Sequence, residues 1–281
     1  MPTPKVIVLA GFPNSGTTIA SYVLGQHRSV FVAGELAKFP AKQLKAGKLC
    51  ACGRPAATCD FWMAVVRRLG ESAGQPIGVR LGELYRAIAA ESGAAVIVDV
   101  AHDLHAIADI CSIEGVDLRL VHLRRQGLAV LNSRLRRLNS PGHELPPGLG
   151  PRMKRIFRHI IRLHAFDQAV DRLRRDRGEQ RAIAVRYDAL CNQPQLALSA
   201  IGRLAGLDVA DIGAQLAAGA ALRLPPHMIR GNPGLKAKQD VRLKRDDGFA
   251  TELAVIDRLT YVAASGVASV LHAVRTRALT Q

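Results

Sequence analysis

The stretch KVIVLAGFPNSGTT, Lys5–Thr18, decides the fold. Its first half, Val6 to Ala10, is an unbroken apolar run closed by Gly11. Hydrophobicity without alternation predicts a strand covered on both faces, as in a parallel sheet. The second half has the G-x-x-x-x-G spacing of a phosphate-binding loop, but Thr17 stands where nucleoside triphosphatases carry lysine. Backbone N–H groups of Ser15, Gly16, Thr17 and Thr18 open a helix there, and its dipole favours an anion. The two threonine hydroxyls add donors. Without the lysine that reaches β- and γ-phosphates, the loop suits a 5′-phosphate group better than a triphosphate with its metal. The plainer alternative is a tight strand–helix turn with no ligand.

Four more apolar runs read as strands: Val30–Ala33, Ala94–Val100, Leu118–Leu123 and Arg181–Tyr187. Helical periodicity fills the intervals, over Thr17–Gln26, Phe61–Leu69, Leu81–Ala90, His102–Cys111, Leu128–Leu138 and Arg152–Arg177. Pro194–Leu204 and Asp211–Ala221 read as further helices. Pro225–Lys236 reads as a loop, and the remainder as helix. Strands alternating with helices predict an α/β fold, a parallel sheet flanked by helices in the three-layer manner of P-loop nucleotide kinases. We expect a single domain over 1–281, with a helical insertion or lid around 138–178 entered through the Pro/Gly-rich stretch Asn139–Gly150. Ligands in such sheets sit at the C-terminal ends of strands. Asn14–Thr18, Glu35, His102, Arg125 and Tyr187 all fall there.

The chain has 281 residues, 48% of them hydrophobic, enough for a sizeable core. Lys and Arg number 39 against 23 Asp and Glu, and the resulting charge of +16 predicts an anionic partner. Nucleic acid, acidic lipid, a nucleotide and an anionic acceptor all satisfy charge alone, but an aromatic content of 4% leaves few stacking platforms for a nucleic-acid binder. Arg134, Arg136, Arg137, Lys154, Arg155, Arg158 and Arg162 flank the Pro/Gly loop; they either draw in an anionic acceptor or form a solvated face. Leu259–Val274 is uncharged for 16 residues, short for a membrane span, and reads as a helix docked on the core. With no secretion pattern around Lys5, the expected compartment is the cytoplasm.

Five cysteines, an odd number, argue against a full disulfide framework. Cys50, Cys52 and Cys59 cluster in CACGRPAATCDFW. Three thiolates could ligate zinc, but the spacing differs from a zinc ribbon and no fourth ligand is evident. A redox-labile pair, or small fillers beside Phe61 and Trp62, are the other readings. No acidic cluster suggests a metal, and none is expected.

A second anchor lies in VHLRRQGLAVLNSRL, Val121–Leu135: Arg125 ends a strand and Ser133 follows eight residues later. An arginine fork plus a hydroxyl can grip a second, separate phosphate. Taken together, FPNSGTT and LRRQGLAVLNSRL make the chain resemble sulfotransferases that use 3′-phosphoadenosine 5′-phosphosulfate (PAPS). In that family such a loop binds the 5′-phosphosulfate, and the Arg and Ser bind the 3′-phosphate. VAGEL (Val32–Leu36), CACGRPAATCDFW, VRYDALCNQPQLALSAIGRLAGL (Val185–Leu207) and HMIRGNP (His227–Pro233) resemble further segments of bacterial members, so the likeness spans nearly the whole chain. It implies transfer of a sulfuryl group from PAPS to a hydroxyl acceptor (carbohydrate, small molecule or peptide). It implies Glu35 or His102 as base, Tyr187 near the adenine, and Gly231, Asn232 and Lys236 of the late loop beside the cofactor. Three positions depart from the pattern. Asn14 replaces a Lys or Arg, Arg125-Gln126-Gly127-Leu128 replaces R-D-P-R, and Asp99-Val100-Ala101-His102 replaces D-S-S-K. The rival classes are a P-loop kinase or triphosphatase and a non-enzymatic basic nucleic-acid-binding protein. The absent lysine and the lack of an acidic magnesium partner argue against the first.

Overall fold

The computed structural model describes residues 3–37, 49–69, 77–139, 148–232, 235 and 240–279. In chain order its elements are β1 (Lys5–Ala10), α1 (Thr17–Leu24), β2 (Val30–Gly34), α2 (Asp60–Leu69), α3 (Ile77–Ser92), β3 (Val96–Ala101), α4 (Leu104–Cys111), β4 (Asp117–Arg124), α5 (Gly127–Leu138) and α6 (Leu149–Arg177). There follow β5 (Ala182–Arg186), α7 (Tyr187–Asn192), α8 (Pro194–Ala205), α9 (Ala210–Ala217), β6 (Ala221–Leu222), β7 (Val241–Arg242), α10 (Phe249–Glu252) and α11 (Val255–Leu279). The main sheet is parallel throughout, in the order β2-β3-β1-β4-β5. This is the three-layer α/β architecture that the sequence predicts.

β1 is central, which is why it reads as continuously apolar. Its side chains alternate between two cores. Val6, Val8 and Ala10 join Trp62, Tyr85, Ile88, Ile160 and Val170 on one face. Ile7 and Leu9 join Val23, Leu24, Leu198 and Ile201 on the other. The chain leaves β1 toward the β3–β2 edge and returns to build β4 and β5 on the opposite side. The loop after β1 therefore sits where the strand order reverses, the place such sheets use for ligands.

The structure moves several expected boundaries. α6 begins at Leu149 rather than Arg152, because Pro151 lies in the first turn, where a missing N–H costs nothing. α4 begins after His102: Asp103 is its N-cap, accepting from the Ala106 N–H at 3.1 Å. Beyond Lys236 the chain is not uniformly helical, since Val241–Arg242 pairs with Ala221–Leu222 as a short antiparallel ribbon. α11 docks through Ala264 and Ala268, while Leu259, Val262, Val270 and Val274 on its outer face are exposed. Among the described residues no helix is long and apolar enough to cross a membrane. Residues 140–147, within the expected Pro/Gly loop, lie outside the described residues.

Two sets of polar side-chain contacts fix α6. His122 of β4 is fully buried, with Nδ1 3.0 Å from Asp171 and Nε2 3.2 Å from Asp167 of the helix. At the other end Arg152 donates two bonds, of 2.9 and 2.6 Å, to Asp257 of α11.

Candidate functional site

Strand register assembles the site. Ala10 is level with Ala101 in β3, so Gly11 and His102 leave the sheet side by side. Arg124 is level with Arg186, so Arg125 and Tyr187 emerge together. β2 carries an irregularity between Val32 and Gly34, after which Gly34 is level with Asp99, and Glu35 reaches the same rim. Five residues from separate parts of the sequence thus meet because their strands end together.

The phosphate-loop motif forms a tight turn whose Ser15 N–H donates to the Phe12 carbonyl at 3.0 Å, and Ser15 Oγ donates to that oxygen as well. Asn14 and Gly16 both adopt left-handed backbone conformations, φ 74° and 94°. Asn tolerates that region better than most residues. Gly16 is required for a second reason: a Cβ there would collide with the Tyr187 ring. Ser15 and Thr17 are buried.

Arg125 joins this loop to the second anchor. Its Nη1 donates to the Asn14 carbonyl at 3.0 Å and to Ser133 Oγ at 3.1 Å, and its guanidinium carbon lies 5.1 Å from the centre of the Tyr187 ring. Tyr187 in turn donates to the Lys244 carbonyl at 3.2 Å. Two buried N–H groups here, Asn14 Nδ2 and Arg125 Nε, have no hydrogen-bond partner among the described residues. Asp246 accepts from Arg125 Nη2 at 3.2 Å and pairs with Arg136 at 2.9 Å. Burial pushes the Asp246 carboxyl up, but the Arg136 bond, the Gly248 N–H and the Arg136 and Arg125 charges outweigh it and hold the group below its ordinary range.

On the other side of the loop lie both candidate bases. His102 Nδ1 lies 2.6 Å from the Gly11 carbonyl, which can only accept, so Nδ1 carries the proton. In the neutral ring Nε2 is then an acceptor. It lies 3.5 Å from Thr17 Oγ1 and 3.9 Å from Glu35 Oε1. The second Glu35 oxygen is 3.4 Å from Arg230 Nε. Arg230 and Gly231 are left-handed, φ 64° and 84°, and a Cβ on Gly231 would reach the Thr18 side chain. The late loop thus does touch the site. Asn232 is exposed beside it, and Lys236 lies outside the described residues. Beneath Glu35 the buried Asp99 accepts from the Leu36 N–H at 3.0 Å and the Tyr85 hydroxyl at 2.7 Å. Burial pushes its carboxyl up to about 7 against the lowering pull of these bonds.

A cavity of about 460 Å³ lies between α5 and α6. Lys154, Arg158 and Arg162, four residues apart on one face of α6, line it with Arg134 and Arg155. The basic cluster seen in the sequence is therefore concentrated around a concavity. His159 lines it too. Burial, then the Arg134 and Arg162 charges, push its imidazole down to about 4, so it stays neutral at physiological pH. His159 packs against Phe12 of the loop after β1, ring centres 5.1 Å apart and planes tilted by 60°, which links cavity and loop.

No protein-family model and no curated protein matches the sequence. Solved structures share the fold. The sulfotransferase domain of the Synechococcus PCC 7002 olefin synthase superposes with a TM-score of 0.55 at 17% identity, covering 95% of this chain and 96% of that one. A sulfotransferase domain from the curacin biosynthetic pathway gives 0.55 and 17%, covering 94% and 99%. Mouse sulfotransferase SULT7A1, solved in complex with PAP, gives 0.53 and 10%, covering 99% and 89%. The fold is that of sulfotransferase domains over nearly the full length of both partners.

Proposed function

We propose that the protein transfers a sulfuryl group from PAPS to a hydroxyl acceptor of anionic character, releasing adenosine 3′,5′-bisphosphate. The observation that carries this reading is Arg125. One guanidinium bonds both the phosphate-loop backbone and Ser133, so two anion anchors belong to one site. A kinase needs one polyphosphate grip with a cation; a nucleotide phosphorylated at both ends of its ribose needs two grips. The fold supports the same reading, and the two unpartnered buried N–H groups fit an anion on this side of the loop.

In this reading Ser15 to Thr18 hold the 5′ end, Arg125 and Ser133 the 3′-phosphate, and Tyr187 flanks the adenine. Gly231 and Asn232 border the pocket from the late loop. PAPS, when bound, supplies a sulfuryl group already activated for transfer. The chain supplies position and charge. Asn14 brings a hydrogen-bond donor without a charge, so positive potential at the loop comes from the helix N-terminus, from Arg125, bonded to the Asn14 carbonyl, and from Arg230. His102, its tautomer fixed by Gly11, orients the acceptor hydroxyl through Nε2, and Glu35 takes the hydroxyl proton. The cation-lined cavity behind Phe12 steers the acceptor in.

Calorimetry tests the cofactor assignment. Adenosine 3′,5′-bisphosphate should bind at least about tenfold more tightly than AMP, since a charged bidentate contact contributes roughly 1.5–3 kcal/mol. Arg125→Ala should erase that preference and leave AMP binding nearly unchanged. Equal wild-type affinity for the two nucleotides, or tighter magnesium-dependent binding of ATP, would overturn it.

A further inference from the structure

The cysteine cluster takes no part in the chemistry above, yet its side chains converge. Cys59 Sγ lies 3.7 Å from Cys52 Sγ and 3.8 Å from Cys50 Sγ. His227 Nδ1 lies 3.8 Å from Cys50 Sγ and 3.5 Å from Cys59 Sγ, and all four atoms fall within 4.8 Å of one another. No fourth ligand is evident in the sequence because His227 lies 168 residues beyond Cys59.

Four of the six edges between these atoms have the length of coordination-tetrahedron edges, and the other two, Cys50–Cys52 and Cys52–His227, lie within 4.8 Å. Zinc bonds of about 2.3 Å to sulfur and about 2.0–2.1 Å to nitrogen place tetrahedral ligands about 3.8 Å apart for sulfur–sulfur and about 3.5–3.6 Å for sulfur–nitrogen. A disulfide needs about 2.05 Å, and all three sulfurs are free thiols. Packing alone gives no reason for three sulfurs and a ring nitrogen to share one point, whereas soft thiolates with one imidazole are a set that selects zinc over magnesium or calcium. We propose that Cys50, Cys52, Cys59 and His227 bind one zinc ion as a closed, structural site.

The surroundings hold the ligands in place. Cys50 and Cys52 lie on a turn closed by Cys50 N–H to the Arg54 carbonyl (2.8 Å) and Gly53 N–H to the Cys50 carbonyl (3.0 Å). The His227 ring stacks on Phe61 at 4.9 Å with planes 8° apart, and its carbonyl accepts from Trp62 Nε1 at 2.7 Å. The residues that follow His227 run to the catalytic rim. Ala51 N–H donates to the Met228 carbonyl (3.0 Å), Ile229 N–H to the Ala33 carbonyl (2.9 Å) and Glu35 N–H to the Ile229 carbonyl (3.3 Å). The ion therefore fastens the late loop to the end of β2, three residues before Arg230.

The test is metal analysis of the full chain purified under reducing conditions without chelator. About one zinc per chain is expected, falling below about one fifth in Cys52→Ser and Cys59→Ser. Because these variants can misfold, cobalt(II) added to metal-stripped wild type serves as a second probe. Intense tetrahedral ligand-field bands and thiolate-to-cobalt charge transfer are expected, and His227→Cys should keep the ion with stronger charge transfer. Absence of both zinc and the cobalt spectrum would overturn the site. So would full zinc occupancy in Cys52→Ser, or a Cys50–Cys59 or Cys52–Cys59 disulfide found by peptide mapping.

Discussion

His102 has its two ring nitrogens committed to different tasks. The Gly11 carbonyl fixes one as a donor, and the other looks toward Thr17 and Glu35. A hydroxyl at that rim would meet His102 Nε2 and the Glu35 side chain together. Assigning the proton to Glu35, we expect Glu35→Gln to lower turnover by about 10²–10⁴ while bisphosphate affinity stays constant. His102→Gln should cost about tenfold, the scale of lost orientation. Steady-state kinetics beside calorimetry checks both; a larger loss in His102→Gln, with activity retained in Glu35→Gln, would make the histidine the base. Arg125, Ser133, Glu35 and His102 were legible because each follows a recognisable strand or sits at a fixed spacing from one. Asp246 and His227 were not, since each acquires its partners only through tertiary contact: Asp246 lies 121 residues from Arg125.

The five strands of the main sheet lie where apolar runs put them, because a buried parallel strand cannot hide its composition; the helix expected over Asp211–Ala221 instead spans Ala210–Ala217, and Ala221 enters a strand. The two-residue ribbon Ala221–Leu222 with Val241–Arg242 carries too few residues for any pattern. The bond between β3 and α3, Asp99 to Tyr85, has a measurable signature. The folded-state carboxyl is raised to about 7, while an unfolded aspartate titrates near 3.9. Below about pH 4 both states hold the proton. Between about 4 and 7 the folded state keeps a proton that the unfolded chain has released, so this group's contribution to stability declines as pH rises through that window. Asp99→Asn keeps an acceptor for Leu36 and cannot ionise. Urea unfolding at a series of pH values should show a flatter decline from pH 5 to pH 8 in the variant than in wild type. Parallel curves would place the titration elsewhere.

At the scale of the whole molecule, the +16 charge is not spread evenly, since five cations line a cavity between α5 and α6. In the proposed reading such a field would act on acceptor capture rather than on chemistry. We expect 4-hydroxybenzoate to be sulfated with a kcat/KM about tenfold above that of its uncharged amide. The joint change Arg158→Glu and Arg162→Glu should abolish the difference, mainly through KM, and added salt should shrink it in wild type. Equal rates for acid and amide in wild type would reduce the cluster to a solvated face.

The central position of β1 also governs how the chain comes to be folded. Its hydrogen-bonded neighbours arrive late: Lys5 pairs with Val96 and with Asp117, 91 and 112 residues downstream. At roughly 5–20 residues per second of synthesis, the most apolar strand waits roughly 5–20 s for a partner on either side. Non-local parallel pairing of this kind forms slowly even in a complete chain. The growing polypeptide therefore presents a sticky segment to the cell throughout that interval, and its soluble yield will depend on translation speed, growth temperature and the supply of chaperones as much as on the stability of the finished molecule.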